Sequence, residues 1–264
     1  MTESLDNKVA VVTGAGRGLG QRVACHLAQR GAHVALAARS ERQLDETAQW
    51  IARVGGRSLV FPMDVSLPDQ VEQFRQTVET KLGSPVILIN AAGVFGPIQL
   101  IKDSDPNRWI ETISTNTIGP YLICRAFVQK MIETGWGRII NFSSAATLHP
   151  PGPLNSAYAT SKVALNQFTR HLASELEGTG VTANVIHPGE VKTTMWQTIR
   201  DQVADAAHHA EPFRQWAKDV EKTGGDHPKK TLNLIDSLIH GPKVATNGQF
   251  LWIEDGIQKP LHSW

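Results

Sequence analysis

The stretch Val9-Ala10-Val11-Val12-Thr13-Gly14-Ala15-Gly16-Arg17-Gly18-Leu19-Gly20 decides the fold. Its first five residues are apolar or β-branched on successive positions, the pattern of a strand buried on both faces. After the glycines, Leu19, Val23 and Leu27 recur at i, i+4 and i+8, which is one face of a helix, and Gly31 is a C-terminal stop. Between strand and helix, glycine allows close approach of backbone to a ligand. The helix N-terminus offers free N–H groups and a partial positive charge. A strand, a glycine loop and a helix at the start of an alternating chain predict a site for the phosphates of a dinucleotide.

Working outward, the same apolar runs return at His33–Ala37, Ser58–Phe61, Val86–Asn90, Arg138–Phe142, Val181–Ile186 and Gly248–Ile253. Helical patterns lie between them, near 41–54, 68–82, 107–133 and 155–177. The reading is α/β: a Rossmann-type doubly wound parallel sheet of about seven strands, with helices on both faces. No linker divides residues 1–264, so one domain is expected. A helical insertion near 194–230, holding Trp196 and Trp216 and ending in Gly224-Gly225, is either a lid over a site or a surface helical pair.

Bulk composition narrows the function. With 26 basic and 25 acidic residues the net charge is +1, which suggests no nucleic-acid surface. No apolar run reaches membrane-spanning length, and the N-terminal residues have no apolar signal core. Cys25 and Cys124 read as small buried residues in a reducing, cytoplasmic setting. The histidines show no metal-ligand spacing, so no metal is expected; His208-His209 reads as a polar stretch of helix.

Tyr158 and Lys162 stand four residues apart, one turn of helix, on one face. A tyrosine normally holds its proton to a pKa of about 10. A nearby ammonium favours the phenolate, so the lysine is expected to lower that value and make the pair a proton-transfer device.

The glycine spacing together with Tyr158-x-x-x-Lys162 resembles the short-chain dehydrogenase/reductase family. Asn90-Ala91-Ala92-Gly93, Asn116, Asn141-Phe142-Ser143-Ser144 and Pro188-Gly189-Glu190-Val191-Lys192-Thr193 match further motifs of that family, in order. The likeness runs from Lys8 to about Gly256. It implies hydride transfer between a nicotinamide cofactor and a ketone or secondary alcohol, as in 3-oxoacyl-thioester reductases and broader ketone reductases. By resemblance, Tyr158 is the general acid/base, Lys162 tunes it and binds the nicotinamide ribose, Ser144 holds the substrate oxygen, and Asn116 completes a proton relay. Cofactor contacts would come from Gly14, Arg17, Gly18, Leu19 and Gly20, from Asp64 and Val65 beside the adenine, and from Asn90, Ala91 and Gly93. Pro188, Gly189, Val191 and Thr193 would flank the nicotinamide. A chain of this fold without the chemistry would be a dinucleotide-sensing protein, and would be expected to lack Tyr158, Lys162 or Ser144; all three are present.

The second strand ends Ala37-Ala38-Arg39-Ser40 with no acid to hold ribose hydroxyls. Arg39, aided by Arg17, would instead hold a 2′-phosphate, so NADP(H) is expected over NAD(H), which stays possible. Asp64 also suits a helix cap, and Ser143 is the alternative to Ser144. The loop from Ser144 to Tyr158 is one residue longer than the family norm, within 149–153. His187 stands where Asn is frequent and reads as structural. Segments 94–97, 148–153 and Met195-Trp196 would build a largely apolar substrate pocket. The family likeness implies a homodimer or homotetramer through 107–133 and 155–177. The apolar run Gln249–Ile253 and the tail Leu261–Trp264 pack either on the chain's own core or on a neighbour.

Overall fold

A computed structural model describes residues 4–204, 208–241, 246–254 and 256–258. The tail at 261–264 therefore lies outside the described residues. Among the described residues eight strands form one sheet: β1 (Val9–Thr13), β2 (His33–Ala38), β3 (Arg57–Pro62), β4 (Pro85–Asn90), β5 (Gly137–Phe142), β6 (Val181–His187), β7 (Phe250–Trp252) and β8 (Gly256–Gln258). Their order is β3-β2-β1-β4-β5-β6-β7-β8. The first seven are parallel, as expected. The three-residue β8 adds an antiparallel edge on β7, which the sequence reading did not foresee.

The apolar runs are continuous because each strand feeds two cores. Ala10 and Val12 of β1 point to one face, with Ile87 and Ile89 of β4. Val9 and Val11 point to the other, with Leu88. The two-residue period of a strand thus divides one run between opposite faces. Helix α1 (Gly18–Gln29) and helix α9 (Pro228–His240) cover the first face. Helices α3 (Pro68–Lys81), α5 (Gly119–Thr134) and α6 (Ser156–Glu175) cover the second. Helix α2 (Glu41–Arg53) joins β2 to β3 and is capped by Ser40.

The helix expected over 107–133 is instead three pieces: α4 (Pro106–Ile113), a π-helical turn at Ser114–Ile118, and α5. Pro120 has no N–H to give the carbonyl of Asn116 four residues back. The wider π turn absorbs that loss, and such turns gather at functional sites. The segment expected as an insertion holds helices α7 (Thr194–Ala204) and α8 (Glu211–Thr223), ended by Gly224 in the left-handed region at φ 85°. These helices carry a separate small apolar cluster around Ile199, Val203 and Ala210. Phe250 and Leu251 of β7 are buried in the chain's own core. Among the described residues no helix is long and apolar enough to cross a membrane, and no cluster of His, Cys, Asp or Glu could hold a metal ion.

Candidate active site

The strand order reverses at β1, whose neighbours β2 and β4 lead away in opposite directions. Ligands of open α/β sheets bind at such a crevice, beyond the carboxyl ends of the strands. A cleft of about 410 Å³ opens there. Its floor is the glycine loop. Gly14 has φ 67°, and a Cβ on it would lie 2.7 Å from the backbone nitrogen of Ala92. Gly20 is packed closer still: a Cβ there would lie 2.3 Å from the Gly14 carbonyl oxygen. The turn therefore nests against the end of β4, where Thr13 Oγ accepts a hydrogen bond from Ala92 N. The N-cap of α1 is Arg17, and no side chain caps that end. Gly18, Leu19 and Gly20 of its first turn line the cleft, and a first turn with orphan N–H groups suits an anion.

Tyr158 and Lys162 line the same cleft from α6. Both are buried, at 9% and 4% exposure. Lys162 Nζ donates to the carbonyl of Phe142 at 2.7 Å and lies 5.7 Å from the centre of the Tyr158 ring. Burial pushes the Lys162 ammonium down to about 8. Burial also raises the Tyr158 phenol above its ordinary value, opposed by a hydrogen bond with the Ser144 hydroxyl. The expectation that the lysine lowers the tyrosine pKa is thus not met in this arrangement: desolvation dominates. Phe95 stacks on the Tyr158 ring, with centroids 4.5 Å apart, and Phe213 of α8 meets Phe95 edge-on. Asn116, fully buried on the π turn, accepts from Val94 N at 2.9 Å and donates to Val94 O and to Ser161 Oγ. It pins the chain after β4 to α6.

Set against known proteins, the model of the short chain dehydrogenase family matches residues 8–204. The chain belongs to that family. It is 35% identical over 222 residues to a short chain dehydrogenase of Pseudocercospora fijiensis, covering 83% of this chain and 71% of that one. It is 36% identical over 204 residues to an NADPH-dependent aldehyde reductase-like chloroplastic protein of Arabidopsis thaliana, covering 73% and 75%. The crystal structure of an actinorhodin polyketide ketoreductase with NADPH superposes at a TM-score of 0.84, with 27% identity and 96% of both chains covered. The chain is accordingly a short-chain oxidoreductase acting on CH–OH and C=O groups.

Within this short-chain dehydrogenase, the cleft gathers most of the expected cofactor positions. Gly14, Arg17, Gly18, Leu19 and Gly20 line its base. Arg39, Asp64, Val65, Ala91, Gly93, Pro188 and Thr193 line it as well. Asn90, Gly189 and Val191 are not among the residues that line it. Asn90 is in the core, where its amide donates to Asn141 Oδ1 at 2.8 Å and to Cys124 Sγ. Its motif reads as a contact from sequence because the side-chain direction at the strand end is invisible there. Gly189 backs onto Asp226, whose carboxylate accepts from Glu190 N. Arg39 pairs with Glu111 of α4 at 3.0 Å, both half exposed. Asp64 accepts from the N–H and hydroxyl of Ser66, so its carboxylate shapes the turn before α3.

Trp196, expected in the substrate pocket, is 5% exposed and sandwiched by Lys192 and Arg200. Residues 149–153 are exposed and not among those that line the cleft. Leu154, just past them, packs with Phe95, Ile98 and Met195 in the cluster under α7 and α8. His187 is buried; its Nδ1 accepts from Ala145 N at 3.2 Å, and burial lowers its pKa to about 4. Its Nε2 is buried without a hydrogen-bond partner, so the ring is satisfied on one side only. Sequence reasoning missed Ser40 and Gln43, which line the cleft at the start of α2. The rule that sites gather at carboxyl ends of strands points to both.

Proposed function

We propose that this chain is an NADP(H)-preferring reductase of ketones, or dehydrogenase of secondary alcohols, with Tyr158 as the general acid/base. The observation that carries the reading is that the glycine loop, Tyr158 and Lys162 line one cleft. The cradle at Gly14 and the uncapped start of α1 fit a pyrophosphate. A dinucleotide bound there supplies or accepts hydride. The protein then has to place a carbonyl beside Tyr158 and move one proton. A phenol held neutral by burial is the form that protonates a developing alkoxide. Ser144 holds the same oxygen as charge gathers on it.

Arg17 and Arg39 both line the cleft and would supply the charge for a 2′-phosphate, and two relatives are linked with NADPH by name. Glu111 pairs with Arg39. The aromatic and aliphatic cluster of Phe95, Ile98, Leu154, Met195, Phe213 and Trp216 favours a substrate with apolar flanks. Free Cys25 and Cys124 suit a reducing cytoplasm. Exposed Ile110, Ile118, Tyr121 and Val163 on α4 to α6 favour a homodimer or homotetramer.

The test is consumption of NADPH or NADH with a panel of ketones. Efficiency should be higher with NADPH, and Tyr158→Phe should remove turnover while NADPH still binds. Equal efficiency with NADH would overturn the cofactor preference. Retained turnover in Tyr158→Phe would overturn the role of the tyrosine.

A further inference from the structure

Asn166 lies four residues beyond Lys162 and eight beyond Tyr158, so all three share a face of α6. Its amide is used on both sides. Ser143 Oγ donates to Asn166 Oδ1 at 2.5 Å, and Asn166 Nδ2 donates to Thr147 Oγ1 at 3.0 Å. Thr147 Oγ1 in turn donates to the Ser144 carbonyl at 2.9 Å. Every donor in this relay has an acceptor, and the relay closes around Ser144.

Backbone pairing cannot do this work. The ladder of β5 on β6 ends where Ser143 N donates to Ile186 O at 2.8 Å. Beyond it the chain turns away from the sheet. The next tether on the β6 side is a side chain, His187, which takes the N–H of Ala145. On the α6 side it is Asn166.

We propose that Asn166 is a positioning residue, which fastens the turn bearing Ser144 to the helix bearing Tyr158 and Lys162 and so sets where the Ser144 hydroxyl stands relative to the Tyr158 phenol. The assignment rests on the catalytic reading above. A contrast sits one turn nearer the core, where Asn141 Nδ2 donates to Thr169 Oγ1 at 2.8 Å. That bond joins strand to helix without touching the turn. The partners of Asn166 stand immediately before Ser144 and three residues after it.

The chain holds two tyrosines, Tyr121 and Tyr158, which allows a test without a known substrate. With a carbon-13 label at tyrosine Cζ and Tyr121→Phe as background, the remaining resonance at neutral pH reports the hydrogen bonding of the Tyr158 phenol. Ser144→Ala should displace it. Asn166→Leu should displace it in the same direction, and Asn166→Asp, which keeps the acceptor for Ser143, should restore part of the shift. Thr147→Val breaks the same relay and serves if Asn166→Leu does not fold. The double variant should move the resonance no further than one substitution alone, because both act through one chain of bonds. A resonance that stays in place in Asn166→Leu and Thr147→Val, while Ser144→Ala moves it, overturns the role of Asn166 and leaves the catalytic reading intact. A resonance that Ser144→Ala does not move shows that Ser144 does not touch the phenol and overturns the role of Asn166, while the catalytic reading is decided by turnover in Tyr158→Phe.

Discussion

At the scale of the residue, Lys162 shows stability given up at a site. Its ammonium is buried, and its pKa falls from 10.5 to about 8. A drop of that size costs roughly 3 kcal/mol at neutral pH, at about 1.4 kcal/mol per pKa unit. The bond to the Phe142 carbonyl favours the ammonium and keeps the fall from being larger still. Lys162→Met should therefore match or slightly exceed the thermal midpoint of the parent at neutral pH, while losing turnover. The linkage has a definite sign. Between about pH 8 and 10.5 the unfolded chain still holds the proton that the folded chain has released. In that window the parent gains stability as pH rises, and Lys162→Met does not gain it. Thermal melts of both proteins across the window read the difference. A variant much less stable at neutral pH would show that the lysine is a net support of the fold.

The residue scale is also where the sequence was read least completely. The pair Tyr158 and Lys162 was legible because helical spacing places both on one face. The electrostatic consequence was not, because spacing says nothing of burial. Desolvation raises the phenol, and the lysine donates to Phe142 O. Asn90 and Trp196 failed for a related reason. Asn90 ends β4 and Trp196 stands in the first turn of α7, both near the cleft, yet each side chain is buried.

At the scale of the element, the strands were legible from apolar runs because seven of them lie parallel and carry helices on both faces. The short β8 was not, since three residues carry no pattern. The break at 114–118 follows from Pro120, which the helical pattern around it masked; the bond of Asn116 to Val94 that holds the turn is tertiary and was not legible. The glycine loop was legible for a steric reason that can be measured. Gly14 combines a left-handed φ of 67° with backbone of Ala91 and Ala92 at 2.7–2.8 Å from any Cβ. Gly55 has a similar φ of 75° but meets nothing within 4 Å. Gly55→Ala should cost only the left-handed conformation, about 1 kcal/mol. Gly14→Ala should cost several kcal/mol, because β4 must move as well, and should abolish NADPH binding. Thermal melts and NADPH fluorescence titration compare the two. Equal losses would mean that the contact with β4 plays no part.

At the scale of the whole molecule, stability is unevenly shared. Two large cores sandwich the sheet, each built from many fully buried side chains. Helices α7 and α8 rest on a third cluster whose buried members are Ile199, Val203 and Ala210. Burial contributes roughly 25 cal/mol per Å² of apolar surface, so a cluster this small holds its helices far less firmly than the cores hold the sheet. Polar ties supplement it: Trp216 Nε1 donates to Glu190 Oε1 at 2.7 Å, and Asp226 closes the same loop. Glu190 lies between Pro188 and Thr193, which line the cleft, so movement of α8 is coupled to its wall. Phe213 adds a direct link, since it packs on the Phe95 ring that stacks on Tyr158. Small local cores open at lower free energy than the global transition. Amides in 194–204 and 211–223 should therefore exchange with deuterium well before those of β1, β4, β5 and β6. Addition of NADPH should slow exchange in α7 through Thr193 and Met195, which line the cleft. Exchange measured by mass spectrometry decides it. Protection of α7 and α8 equal to that of the central strands would show that the two helices belong to the cooperative core, and that substrate must enter without their opening.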